Sequence, residues 1–216
     1  MSNSDRSGSR LLERAESVID ALVPLYPDPR PALDYRNPFE LLVATVLSAQ
    51  CTDAMVNRVT PALFARWSGP ESMSAAPLEE LEKLIHSTGF FRAKARYLSG
   101  LSRMLAERHA SVVPFTMEEL TALPGVGRKT AGVVLSACWG GDAIIVDTHF
   151  GRIARRLGFA GSDDPERTER EIASFLPSGR WTLFSHLLNR HGRAVCIARL
   201  PHCSTCAIAS YCPSRR

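Results

Sequence analysis

The chain is short of lysine. Of its 26 basic side chains, only Lys83, Lys94 and Lys129 are lysines and the remainder are arginines. A codon composition favouring arginine is the simplest reading. It has one consequence. Arginine cannot give up its proton, so a lysine retained in such a chain marks a position where an amine is wanted. Long apolar runs are missing too: no stretch approaches the roughly 18 residues of a membrane span. Met1 to Arg10 is polar and lacks the apolar core of a secretory signal. A soluble, cytoplasmic protein with no membrane partner is expected. Cysteine is scarce before residue 196, where only Cys51 and Cys138 occur, each inside an apolar helical pattern that suits a small buried thiol. With no secretory signal, the cysteines clustered beyond that point read as metal ligands before disulfides. Strand alternation is lacking as well, and Ile144-Ile145-Val146 is too short to anchor a sheet.

What the 216 residues do have is enough core. With 45% hydrophobic and 22% charged residues, the chain buries about 70% of its unfolded surface as one large domain or two small ones. Helix punctuation dominates, and the class is all-α. Leu11 to Val23 is periodic and ends at Pro24 and the breaker run Pro27 to Pro31. Asn37-Pro38-Phe39-Glu40 is a helix start, and the apolar run behind it predicts a buried helix. Asp53 is expected to cap a helix through about Trp67. Further helices are expected at Pro77–His86, Ala93–Arg108, after the Thr116-Met117-Glu118-Glu119 capping box, and at Arg128–Cys138. Asp147 caps one reaching Leu157, Asp164-Pro165 opens another, and Arg180–His191 closes the series.

Three constellations carry chemistry. Cys196, Cys203, Cys206 and Cys212 crowd into the last 21 residues with spacings x6, x2 and x5. Zinc and a four-iron, four-sulfur cluster both accept four thiolates. One short knuckle with longer arms favours the wider cluster. The second is Leu123-Pro124-Gly125-Val126-Gly127-Arg128-Lys129-Thr130, a glycine turn between two helices. It lets backbone N–H groups approach a phosphate at a helix start, a contact that positions DNA without reading it. A nucleotide phosphate loop is excluded, because Arg128 separates the glycine from the lysine and the preceding segment reads as helix. The third is Val146-Asp147-Thr148-His149, in which Asp147 reads first as a cap and His149 as a packed residue. From His186 onward there are five arginines and no acid, which points to a polyanionic partner or a solvated face.

The blocks Leu47-Ser48-Ala49-Gln50-Cys51-Thr52-Asp53, Gly89-Phe90-Phe91-Arg92-Ala93-Lys94-Ala95, the glycine turn, Val146-Asp147-Thr148-His149, and His191-Gly192-Arg193 leading into the cysteines occur in one order. Together they resemble the endonuclease III family of DNA glycosylases. The resemblance implies a two-lobed helix–hairpin–helix fold with DNA between the lobes. One lobe is a six-helix barrel over residues 31–141, and the other is a discontinuous cluster domain of 1–30 with 142–216. It implies a monomer, associated with the nucleoid, that excises oxidised pyrimidines from double-stranded DNA and cleaves the abasic site. Lys129 would be the nucleophile, and Asp147 its activator or the stabiliser of a cationic sugar. Gln50 would fill the gap of the extruded base and Phe90 would wedge between base pairs. Gly125, Val126, Gly127, Arg128 and Thr130 would hold phosphate, and Cys196, Cys203, Cys206 and Cys212 a [4Fe-4S] cluster. Two rival readings stand beside it: a monofunctional mismatch or deaminated-base glycosylase, against which Lys129 argues, and a non-catalytic iron–sulfur DNA-binding protein.

Overall fold

The computed structural model describes residues 3–27 and 33–216. Among them are eleven α-helices joined by turns and short 3-10 segments, and no strand. The helices are α1 (Asn3–Leu22), α2 (Pro38–Leu47), α3 (Asp53–Arg66), α4 (Pro70–Ser74), α5 (Leu78–Ile85), α6 (Phe91–Arg108), α7 (Met117–Thr121), α8 (Arg128–Trp139), α9 (Thr148–Arg156), α10 (Pro165–Ala173) and α11 (Trp181–Ala194). Among the described residues no helix is long and apolar enough to cross a membrane. The chain separates into two compact units, Met1–Arg30 with Asp142–Arg216, and Pro31–Gly141. Residues 28–31 of the expected breaker run lie outside the described residues.

The 31–141 unit is built around α2. Asn37 caps it, its side chain accepting from the Glu40 N–H at 3.0 Å. The Glu40 carboxylate is 2% exposed and reaches back to the Arg36 N–H at 2.8 Å and to the Arg36 guanidinium. Every residue from Phe39 to Leu47 is buried, as expected of a helix that is apolar all round. Leu98, Leu101 and Leu105 of α6 and Ala131 and Val134 of α8 pack into the same core. Three boundaries differ from expectation. α1 begins at Asn3 rather than Leu11, because its first turns are polar and show no apolar period. Thr52 caps α3, with its Oγ1 accepting from Met55 at 3.3 Å, and Asp53 stands at the first helical position. There its charge still favours the positive helix end. α3 ends at Arg66 with Trp67 as its C-cap, and Gly69-Pro70 starts α4, a helix of five residues too brief to show a period.

The other unit joins the N-terminal helix to the C-terminal ones. Ala15, Val18, Ile19 and Leu22 form the buried stripe of α1, at helical spacing. They share a core with Phe150, Ile153 and Ala154 of α9 and Phe184, Leu187 and Leu188 of α11. Phe150 and Phe159 both stand edge-on to Phe184, centroids 5.9 and 5.7 Å away. Arg14 ties α1 to the end of α9, donating to the Leu157 carbonyl at 2.8 Å with its guanidinium over Phe159. Residues 143–146 run beside α11 without making a sheet. Hydroxyls take their backbone donors instead: Ala143 N–H to Thr182 Oγ1 at 3.2 Å, and Ile145 N–H to Ser185 Oγ at 3.0 Å. Ile144 and Ile145 are thus buried beside a helix, with the Ile145 N–H satisfied by a hydroxyl and no partner strand.

Candidate functional site

In the 31–141 unit the glycine turn joins α7 to α8. The Val126 N–H closes it on the Leu123 carbonyl at 3.1 Å, and both side chains are buried. Val126 is therefore an anchor of the turn into the core, and its side chain faces away from any ligand. Gly125 and Gly127 are required for different reasons. Gly125 has φ +76°, and a Cβ there would stand 2.5 Å from Tyr97 Cγ. Gly127 has an ordinary φ of −93°, caps α8, and has nothing within 4 Å of the place a Cβ would take. Its bareness serves no packing purpose. It does leave room for an approaching group at a helix start, where backbone N–H groups lack intrahelical partners. Arg128 and Lys129 are exposed in the first turn of α8, and Thr130 is half-buried.

Two further turns of this unit carry the other candidate side chains. The Cys51 N–H bonds the Ser48 carbonyl at 3.0 Å, and Gln50 sits in that turn at φ +54°, exposed. Phe90 is the N-terminal flank of α6 at φ +48° and is 65% exposed. Its neighbour Phe91 turns inward, its ring 4.5 Å from that of His86. A left-handed backbone costs a residue with a Cβ about 1–2 kcal/mol. Such strain persists only where the surroundings hold it in place. Only four non-glycine residues among those described have positive φ, and Gln50 and Phe90 are two of them.

In the unit containing residues 142–216, Asp147 is the cap it was read to be. Its Oδ1 accepts from the N–H groups of His149 at 3.0 Å and Phe150 at 2.7 Å. Its other oxygen accepts from the side-chain amide of Asn189 on α11. Asn189 carried no signal in the sequence, being one polar residue among several inside a helical pattern 42 positions away. His149 is half-buried, with Nδ1 3.3 Å from the Arg152 guanidinium. Gly192 lets α9 and α11 meet, since a Cβ there would stand 3.0 Å from both His149 Cβ and Ile153 Cδ1.

The four clustered cysteines form no disulfide, are half-buried, and line one cavity. Among the described residues no group of three or more His, Cys, Asp or Glu is placed to hold a single metal ion. The surroundings suit thiolates. Arg156 Nη1 stands 3.2 Å from Cys196 Sγ, and His191 Nε2 stands 3.3 Å from Cys206 Sγ. Burial, aided by repulsion from Cys196, Cys212 and Cys203, pushes the Cys206 thiol above its usual range. A cationic centre bound among them would reverse that penalty. Arg152 and Arg156, one turn apart on α9, also fix the loop: Arg152 on the Gly192 and Cys196 carbonyls, Arg156 on those of Ile197 and Ala198. The donor set and its N–H partners fit a four-thiolate cluster. Sequence reasoning missed both arginines; their spacing of four behind the Asp147 cap was the available signal.

Comparison with known proteins converges. The family model described as "HhH-GPD superfamily base excision DNA repair protein" matches residues 43–178. Endonuclease III of Synechocystis sp. is 48% identical over 94% of this chain and 93% of its own length. Endonuclease III of Bacillus subtilis is 43% identical over 93% and 92%. Among solved structures, a trapped endonuclease III–DNA covalent intermediate superposes with a TM-score of 0.88 at 43% identity, covering 94% of this chain and 95% of the other. A thermostable thymine-DNA glycosylase shares the fold at 22% identity and a TM-score of 0.84, covering 94% and 97%.

Proposed function

The chain belongs to the endonuclease III family of helix–hairpin–helix base excision DNA repair proteins, and on that premise we propose that it removes oxidised pyrimidines from duplex DNA and then cuts the strand through Lys129. The observation that carries this is an exposed lysine directly behind the glycine turn, in a chain that otherwise uses arginine. The Lys129 amine attacks C1′ of the deoxyribose, and the damaged base departs with the bonding pair. Proton loss from nitrogen and opening of the ring leave a Schiff base. Loss of a C2′ proton then expels the 3′-phosphate, and water releases the enzyme. Asp147 activates the amine or balances positive charge on the sugar as the base leaves. Its carboxylate is held by the two backbone N–H groups and by Asn189, so it needs no reorganisation in the transition state.

The glycine turn and the first turn of α8 hold phosphate, through Gly125, Gly127, Arg128 and Thr130, with Val126 anchoring the turn. Gln50 and Phe90 probe the duplex where the base is extruded. The protein works as a monomer on nucleoid DNA. Cys196, Cys203, Cys206 and Cys212 hold a [4Fe-4S] cluster, which when bound cross-links the C-terminal loop. A monofunctional glycosylase is the rival enzyme, and the fold it shares does not separate the two; Lys129 does.

The test is borohydride trapping on a lesion-bearing duplex. Lys129→Arg keeps the positive charge and most of the length, but its guanidinium stays protonated. Wild type is expected to form a covalent adduct and Lys129→Arg to form none while still binding abasic DNA. Undiminished trapping by the variant would show that another amine is the nucleophile.

A further inference from the structure

Lys94 is 4% exposed and has no part in the chemistry assigned to Lys129. It lies in the first turn of α6, and its Nζ donates to two carbonyls, Leu47 at 2.8 Å and Thr88 at 2.7 Å. Each of those carbonyls ends a helical segment. Leu47 is the last residue of α2, and Thr88 the last of the 3-10 turn His86–Thr88. Terminal carbonyls lack intrahelical donors and bear the negative end of the helix dipole. One ammonium therefore answers two helix ends at once. Burial pulls the Lys94 amine below the ordinary lysine range, and the nearby Cys51 thiol works against that pull.

The position of those carbonyls in the chain is what matters. Leu47 is followed directly by the turn that carries Gln50, and Thr88 by Gly89 and Phe90. The Lys94 backbone N–H also bonds the Phe90 carbonyl at 3.1 Å. Gln50 and Phe90 are both left-handed, so both turns need an external constraint to hold their conformation. The same residue supplies it to both. An arginine would offer more donors on a planar fork, whereas the gap between two helix ends calls for a compact charge with rotatable donors. This accounts for a buried lysine in a chain that uses arginine almost everywhere else.

We propose that Lys94 is a positioning residue whose buried ammonium ties the Ser48–Cys51 turn to the Gly89–Phe90 turn, so that Gln50 and Phe90 meet the duplex in a fixed mutual register. The proposal rests on the reading of those two side chains as duplex probes. Two coupled side chains act as one unit, and their single deletions are then not additive.

The experiment is a double-mutant cycle of Gln50→Ala and Phe90→Ala, run in the wild-type and Lys94→Met backgrounds. It is read by single-turnover base removal and by fluorescence of a 2-aminopurine placed next to the lesion. In the wild-type background either deletion is expected to cost nearly as much as both. In the Lys94→Met background that coupling is expected to vanish, with base removal about 10²-fold slower, the scale of an ångström-level misplacement. If neither Gln50→Ala nor Phe90→Ala alters extrusion, the duplex-probe reading fails. If both impair it and Lys94→Met leaves their coupling intact, the positioning proposal alone fails. Lys94→Gln, which keeps a donor for one carbonyl, covers the case in which Lys94→Met does not fold. Hydrogen exchange of free Lys94→Gln is expected to speed up at the turn that loses its donor, residues 48–51 or 89–92, while α8 stays protected. Unchanged exchange at both turns overturns the proposal.

Discussion

At the scale of single residues, Asp147 shows how a structural and a chemical role coincide. A cap needs one oxygen, and Oδ1 serves the two backbone donors. The second oxygen is held by Asn189, which capping alone does not require. Asp147→Asn keeps a cap oxygen of nearly equal quality. The Asn189 amide can flip to present its oxygen to the new NH2, so the fold is expected to lose less than about 1 kcal/mol. The carboxylate charge is gone, and base removal is expected to fall by about 10²- to 10³-fold. Asn189→Ala leaves the charge but frees one oxygen to turn; a smaller loss in rate with an unchanged melting temperature is expected. Equal rates for wild type and Asp147→Asn would reduce Asp147 to a cap. The sequence made the cap legible, because it is local: an Asp before an apolar-faced helix. Asn189 was not legible, because its partner is distant in the chain and nothing about a lone asparagine names it.

At the scale of elements, α6 carries more than its own face of the core. Lys94, Tyr97 and Gly100 follow at helical spacing along it. Lys94 holds two turns, Tyr97 fills the place beside Gly125, and Gly100 leaves room for Pro124, whose Cγ would stand 3.3 Å from a Cβ. The three turns proposed to meet DNA are thus referenced to a single helix. The hairpin glycines separate by purpose. Gly125→Ala combines a left-handed backbone with a clash at the root of the Tyr97 side chain, where no terminal rotation can relieve it. A destabilisation of about 2–3 kcal/mol is expected, from strain plus overpacking. Gly127→Ala meets nothing and keeps a normal φ, and should cost no more than about 1 kcal/mol as a poorer cap. Yet it is Gly127→Ala that is expected to weaken DNA binding out of proportion to its effect on melting. Tight binding by a folded Gly127→Ala would remove the phosphate role. Most helices were readable from their caps, as at Asn37, Thr116 and Asp164. The misses, the start of α1 at Asn3, Thr52 for Asp53 and the five-residue α4, arose where the first turns of a helix are polar, two capping residues adjoin, or a helix is too short for periodicity.

At the scale of the molecule, each of the two units has a hydrophobic core of its own. The proposed cluster concerns only one of them. Purified protein is expected to be brown, with iron and acid-labile sulfide near four each per chain. Cys203→Ser is expected to increase hydrogen exchange through residues 196–212 and the facing part of α9, while α2 and α8 keep their protection. Colourless protein with one zinc would sink the cluster assignment. The three lysines also have three different fates: Lys83 exposed on α5, Lys94 sealed inside, and Lys129 exposed at the hairpin. To an electrophile that condenses with amines, the described residues therefore offer only two lysine targets. Reductive methylation of the free protein should modify Lys83 and Lys129 and spare Lys94, with activity lost in step with the second of these sites alone. The same scarcity makes the enzyme vulnerable in a particular way: in a cell burdened with reactive aldehydes, there are few decoy amines to intercept them before they reach Lys129.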